Sequence, residues 1–264
     1  MDERLKANLD AWNQMARIHA GSRGYRLAEF KAGANVLKPI ELREVGDVRG
    51  KSLLHMQCHF GLDTMSWARM GAQVTGVDFS DEAIKLARSI SGELKIPARF
   101  VQSNIYDAPD VLHEQFDIVF TSYGALCWLP DITRWAQVAA SFVKPGGFFY
   151  MAEFHPLTQM SRNDAGATKL EFEISYFHRA MREDPPGPDY SDHTKIVSET
   201  HQWMYRLGDI VSALAAAGLR IEYLHEFAEC IYQHAPFMKQ GSDGQWHIEG
   251  DPIPTIFSIK ATKP

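Results

Sequence analysis

Residues 53–61 read LLHMQCHFG, and residues 71–80 read GAQVTGVDFS. An apolar strand, a tight turn, a helical stretch and a second strand ending in Asp78 make the βαβ unit that holds an adenosine moiety. A carboxylate at that strand end can accept hydrogen bonds from both ribose hydroxyls. Yet where such turns want glycine for unusual dihedrals and close ligand approach, this chain has Gln57 and His59. Only Gly61 keeps the expected type. The loop is therefore either remodelled and working or the remains of a decayed site.

Working outward, short apolar strands alternate with helical stretches from Lys51 to Phe154: KSLLHM, QVTGVDF, ARFVQSN, FDIVFTSY and GGFFYMAEF. Such alternation predicts an α/β fold with a parallel sheet covered on both faces. Ser80 before Asp81 and Glu82 suits a helix N-cap and the helix dipole. Asp131 similarly precedes the apolar face Ile132, Trp135, Val138 and Phe142. Upstream, Leu5, Leu9, Trp12 and Met15 recur at helical spacing. The passage HAGSRGYRLAEFKAG then reads as loop, and 37–45 as a second helix. After Phe154 the alternation stops. Residues 155–205 are rich in His, Tyr and acids and contain the turn signal EDPPGPDYSD. A helix over LGDIVSALAAAGL and the strands RIEYLHEF and TIFSIKAT follow.

The chain has 264 residues, 45% hydrophobic and 23% charged, with a formal net charge of -6. No Lys/Arg run is present, so a nucleic-acid partner is not expected. The polar N-terminus does not read as a signal peptide, and no apolar run is long enough for a membrane span. Cys58, Cys127 and Cys230 are too few and scattered for a disulfide framework or zinc site, which suits reduced thiols in a cytoplasmic protein. A metal is not expected.

Both NAD and S-adenosylmethionine place a ribose on an acid such as Asp78. The dinucleotide pattern needs its third glycine three residues after the second, setting a helix N-terminus on a pyrophosphate. Here Gln57, His59 and Gly61 are spaced as GxGxG. Asp63 at the start of the following helix would repel a pyrophosphate but suits a methionine ammonium. The spacing favours S-adenosylmethionine.

From Leu53 to Phe154 the chain resembles the class I S-adenosylmethionine-dependent methyltransferases. LLHMQCHFG matches the family's V-L-D-L-G-C-G-x-G strand and loop, GAQVTGVDFSDEAIKLAR its second strand and helix, and VKPGGFF the turn into its fifth strand. AWNQMARIH, the QCHFGLDT loop and EFHP are similar to a bacterial subgroup of small methyltransferases. The resemblance implies a Rossmann-like, seven-stranded, mostly parallel sheet with helices on both faces and an antiparallel last strand. It implies methyl transfer to a small-molecule acceptor, leaving S-adenosylhomocysteine. His55 departs from the pattern, standing where the family has an acid.

Around that cofactor the expected set is Trp12 and Tyr25, then Gln57, Cys58, His59, Gly61 and Asp63, then Asp78, Phe79 and Ser80. Ser103, Asn104 and Ile105 would flank the adenine, with the Asn104 amide accepting from its exocyclic amine. Tyr123 would border the sulfonium, while Trp128 packs in the core. Cys127 reads as a buried thiol rather than a nucleophile. Glu153 and His155, two apart at the end of a strand, would point to one rim. His155 is then either a base or a cap on the strand, and His178 is a further catalytic candidate. Tyr176, His178, His201, Trp203 and Tyr205 would wall an acceptor pocket or face the core of a cap.

The expected organisation is a single methyltransferase domain, 1–264. It comprises a helical lid (1–50), a cofactor-binding core (51–154), an acceptor-cap insert (155–205), and a closing helix and strands (206–264), as monomer or homodimer. The rival readings are a non-catalytic S-adenosylmethionine-binding or regulatory protein and an NAD-dependent oxidoreductase.

Overall fold

Leu53, Leu54 and Met56 are wholly buried, because strand β1 (Ser52–Met56) runs through the middle of a sheet covered on both faces. The computed structural model describes residues 2–177, 181–191 and 194–264. β1 lies between β2 (Gln73–Asp78) and β4 (Phe116–Thr121), with Leu53 opposite Val74 on one side and Ile118 on the other. β3 (Ala98–Gln102) flanks β2, and β5 (Val143–Phe154) flanks β4. The strands Ile256–Thr262 and Arg220–Phe227 complete seven, in the order β3-β2-β1-β4-β5-(256–262)-(220–227). Only Ile256–Thr262 runs antiparallel to its neighbours, as the resemblance implied. Strand order reverses between β1 and β4, so the crevice for a ligand opens at the carboxyl ends there.

Helices α1 (Glu3–Gly21), α2 (Leu27–Lys31), α3 (Pro39–Val45), α4 (Leu62–Arg69), α5 (Asp81–Leu94) and α6 (Ile132–Phe142) surround the sheet, with Leu207–Ala216 beside α6. One core joins Trp135 of α6, Phe149, Phe257 and Leu214. Another packs Phe60, Ile84, Ala87, Ile90 and Phe100 with Phe30 of α2. The expected caps are present: Ser80 Oγ accepts from Ala83 N–H at 3.0 Å, and Asp131 Oδ1 from Arg134 N–H at 2.9 Å.

One expectation changes at the N-terminus. α1 forms as expected and buries Met15 of the apolar stripe with Asn8, Ala11, Ala16 and His19, while Leu5, Leu9 and Trp12 stay half-buried. The passage read as loop contains α2: Phe30 is fully buried, and the Arg69 guanidinium sits 3.9 Å from its ring centroid and donates to its carbonyl at 2.9 Å. That tertiary anchor holds a helix of five residues, too short to stand alone. α1 is fixed to α5, with Ser80 Oγ donating to Asn13 Oδ1 at 2.6 Å and Asn13 Nδ2 to Asp81 Oδ1 at 2.8 Å. It is also fixed to the insert, where Asn8 exchanges two 2.8 Å hydrogen bonds with the His201 backbone. In the insert, Met181–Asp184 and Thr200–Trp203 pair as an antiparallel hairpin.

Candidate active site

A cavity of about 640 Å³ opens at the carboxyl ends of the parallel strands, beneath α1 and the insert. Gln57, Cys58, His59, Gly61 and Asp63 line it after β1, Asp78 and Phe79 after β2, and Ser103, Asn104 and Ile105 after β3. Tyr123 follows β4, and Trp12 and Tyr25 reach in from the N-terminal segment. The residues expected around the cofactor thus gather into one space, except for Ser80. That residue is turned away to cap α5.

The loop keeps a glycine-like backbone without glycine. φ is +52° at Gln57, +50° at His59 and +76° at Gly61. A left-handed side-chain-bearing residue costs roughly 1–2 kcal/mol, so two such residues in one turn store strain of the kind found at functional sites. Packing decides where glycine stays. A Cβ at Gly61 would lie 2.5 Å from the Phe100 ring, whereas Gln57 and His59 face the cavity. Both amide atoms of Gln57 are buried without a hydrogen-bond partner among the described residues.

The His59 N–H donates to Asp78 Oδ2 at 2.8 Å, and Ser80 N–H to Oδ1 at 2.9 Å. Burial pushes the Asp78 carboxyl up to about 6, against the pull of those N–H groups. It is ionised at neutral pH, with one lone pair per oxygen left for a ligand. His55, in the family's acid position, is wholly buried between Thr64 Oγ1 (2.8 Å from Nδ1) and Ser122 Oγ (3.1 Å from Nε2). Burial pushes it down to about 3, so it is neutral. The acid at this end is Asp63, which burial raises and Lys38 lowers. Behind it, burial and then the charge of Asp63 push Glu41 up to about 8.

Asn104 Oδ1 accepts from Tyr106 N–H at 3.1 Å, capping a short 3-10 turn, and keeps a second lone pair. Burial pushes the Cys58 and Cys127 thiols well up, which makes both poor nucleophiles. Trp128 is half-buried: it packs against the small core of Ala11, Met15 and Ile196 and also lines the cavity, edge-on to Trp12 at 5.2 Å.

Neither member of the expected rim pair reaches the cavity lining. Both oxygens of the buried Glu153 are taken by backbone N–H groups: Gly124 at 2.5 Å, Phe154 at 2.7 Å, Ala125 at 2.8 Å and Leu126 at 3.1 Å. It holds the turn after β4 in shape. His155 caps the short helix Pro156–Gln159 through Nδ1, which accepts from Leu157 N–H at 3.1 Å, and its Nε2 lies 3.1 Å from Glu226 Oε1. Alternation puts both on one face, but the turn beyond Phe154 buries His155 away from the cavity. His178 lies outside the described residues.

In the insert, alternation along Thr200–Trp203 sends Gln202, not His201 or Trp203, to the cavity. Tyr176 Oη instead accepts from Leu207 N–H at 3.1 Å, and Tyr205 Oη donates to the Leu129 carbonyl. The polar wall consists of Gln159, Asn163, Arg182, Gln202, Tyr232 and His234. Tyr232 Oη lies 2.8 Å from His234 Nδ1, and burial pushes His234 down to about 4. The stretch CIYQHAPF is the only sequence signal for these two. Sequence reasoning misses His19, which lies beside His59, and Asp189, which bonds the far nitrogen of His19. A histidine one α1 turn beyond Met15, on the buried face, is the available hint.

Residues 54–151 match the family described as "Methyltransferase domain". A ubiquinone biosynthesis O-methyltransferase of Shewanella halifaxensis is 34% identical over 128 residues, covering 47% of this chain and 53% of that one. The chain thus spans about half the length of that curated relative. The protein of the same name from Xanthomonas euvesicatoria pv. vesicatoria is 32% identical over 178 residues, covering 66% of this chain and 70% of its own. A crystal structure of an S-adenosylmethionine-dependent methyltransferase from Mesorhizobium loti shares the fold with a TM-score of 0.58 at 19% identity, covering 88% and 99% of the two chains. With the loop, the terminal acid of β2 and the sheet order in place, the chain belongs to the class I S-adenosylmethionine-dependent methyltransferases.

Proposed function

We propose that this protein transfers a methyl group from S-adenosylmethionine to a small-molecule acceptor. The observation that carries this reading is a single cavity joining the Gln57–Asp78–Asn104 edge to the polar wall of Arg182, Gln202, Tyr232 and His234. Its volume lies within the ordinary range for ligand sites. The residues fit the cofactor: the Gln57 amide presents an unpaired donor and acceptor, Asp78 has lone pairs for two ribose hydroxyls, and Asp63 suits an ammonium. Phe79 and Ile105 are apolar flanks for the adenine. When bound, the cofactor supplies an electrophilic methyl carbon on a sulfonium.

The chain's own part is to position and to exclude water. α1 roofs the site with Trp12, and the insert closes the acceptor side. An acceptor hydroxyl can lose its proton to Tyr232 Oη as Tyr232 passes its own to His234 Nδ1, leaving an imidazolium. The relatives' printed name, an O-methyltransferase, makes oxygen acceptors the first to try. Incubation with methyl-tritiated S-adenosylmethionine and a panel of phenols, carboxylic acids and amines tests the reading, alongside calorimetry with S-adenosylhomocysteine and NAD. Label in an acceptor supports it. Binding of NAD but of neither adenosyl compound would sink it.

A further inference from the structure

His59 does more than occupy a glycine position. Its Nε2 lies 2.9 Å from His19 Nδ1, and His19 Nε2 lies 3.0 Å from Asp189 Oδ2. His19 and Asp189 are completely buried side chains. The three residues come from α1, the cofactor loop and the insert, so one chain of contacts ties together the three segments around the cavity. Asp189 Oδ1 is held by Ser191, whose N–H donates at 2.8 Å and whose hydroxyl also donates. Tyr25 stacks on His19 at 4.3 Å and hydrogen-bonds Tyr190.

The chemistry of these contacts has one direction. A carboxylate only accepts, so His19 Nε2 carries the proton toward Asp189. Burial raises the Asp189 carboxyl, but the bonds from His19 and Ser191 outweigh it and hold the group low, hence ionised. With its proton on Nε2, the His19 ring offers Nδ1 as a lone pair, so His59 donates to it from Nε2. Burial holds His59 well below its usual range, so it is neutral. Its remaining nitrogen, Nδ1, is left as a bare lone pair. That atom is buried and has no partner among the described residues, on a ring that lines the cavity.

A second orphan stands beside it. Trp12 Nε1, a donor only, is also buried without a partner among the described residues, and its ring meets His59 edge-on at 5.2 Å. One acceptor and one donor on adjacent rings match a hydroxyl, which both gives and takes a hydrogen bond. The hydroxyl nearest by construction is on the ribose, because the His59 backbone N–H is bonded to Asp78.

We infer that Asp189 and His19 are positioning residues that lock His59 in its Nε2–H tautomer, so that His59 Nδ1, with Trp12 Nε1, holds a ribose hydroxyl of the cofactor. This deepens the proposed function and rests on its cofactor site. It also explains the replacement of glycine at position 59: a glycine there offers no such atom, and the side chain links cofactor binding to the cover above it.

The test uses the full-length protein with 15N-labelled histidine. Long-range 1H–15N spectra, with the His59 signals assigned by their loss in His59→Gly, should show a neutral Nε2–H tautomer. Asp189→Asn should mix the tautomers and weaken S-adenosylhomocysteine about 5- to 10-fold, the worth of roughly one hydrogen bond. In the His59→Gly background the same change should have no further effect. A wild-type His59 carrying its proton on Nδ1 overturns the inference, even if Asp189→Asn fails to fold. So does an Asp189→Asn loss that is equal in both backgrounds or absent. If wild type binds no S-adenosylhomocysteine, the ribose contact falls with the proposed function, while the spectra still decide whether Asp189 and His19 fix the tautomer.

Discussion

The backbone N–H of His59 donates to Asp78 Oδ2 at 2.8 Å, so the loop after β1 and the acid that ends β2 form one unit. The left-handed turn at His59 orients that donor and leaves the outer edge of the carboxylate to a ligand. Asp78→Ala should weaken S-adenosylhomocysteine binding roughly 10- to 100-fold, since hydrogen bonds to a charged group contribute about 1.5–3 kcal/mol. Calorimetry on a variant with wild-type circular dichroism measures it, and unchanged affinity removes Asp78 from the site.

The same acid sets a pH dependence. Its native value near 6 lies above the ordinary aspartate value of 3.8, so the ligand-free fold binds this proton more tightly than the unfolded chain does. From this group alone, the free protein gains stability as pH falls from 7 toward 4. In the proposed complex the carboxylate holds the ribose, so affinity should move the other way, falling between pH 7 and 5. The expected slope below pH 6 approaches tenfold per unit. Asp78→Asn should flatten it, and an equal slope in wild type and variant would place the titrating group elsewhere.

In the proposed mechanism the base lies on the acceptor wall rather than on the expected rim. His234→Ala should lower turnover on a hydroxyl acceptor by about 10²- to 10⁴-fold while leaving S-adenosylhomocysteine affinity within twofold. His155→Ala should lower thermal stability and spare turnover, because His155 caps a helix. Single-turnover rates of the two variants decide between them; a large chemical-step defect in His155→Ala alone restores the rim assignment.

Glu153 is predicted to matter for shape. Glu153→Gln puts an amide NH2 among four backbone N–H groups and leaves one or more unpaired, a cost of roughly 1–3 kcal/mol for each. Urea unfolding should show a loss in that range, with cofactor affinity following the disorder of residues 124–126. A variant as stable as wild type would contradict the anchoring account.

Much of this architecture is legible in the sequence. The five parallel strands announce themselves as apolar runs of the right length between helical stretches, and Asp78 is marked by its place at a strand end. Position along the chain suffices there, because the turns at the carboxyl ends of such parallel strands open on the crevice. It fails where a side chain's target comes from far away. His19, His59 and Asp189 meet across separations of 40 and 170 residues, and no local pattern encodes that. Glu153 and His155 are misplaced by alternation because it cannot foresee a turn that reaches back to claim a carboxylate. The insert's His201 and Trp203 fall on the other face of a short hairpin, where a one-residue change of register inverts every side chain.

The central claim is that a loop with glutamine and histidine in left-handed backbone is an adapted cofactor loop. Calorimetric titration of S-adenosylhomocysteine into wild type and the Gln57→Gly/His59→Gly double variant tests it most directly. Glycine relieves the strain but deletes the Gln57 amide and the His59 acceptor, so the account predicts binding at least about 10-fold weaker in the double variant. Equal or tighter binding by the glycine-restored loop would contradict it.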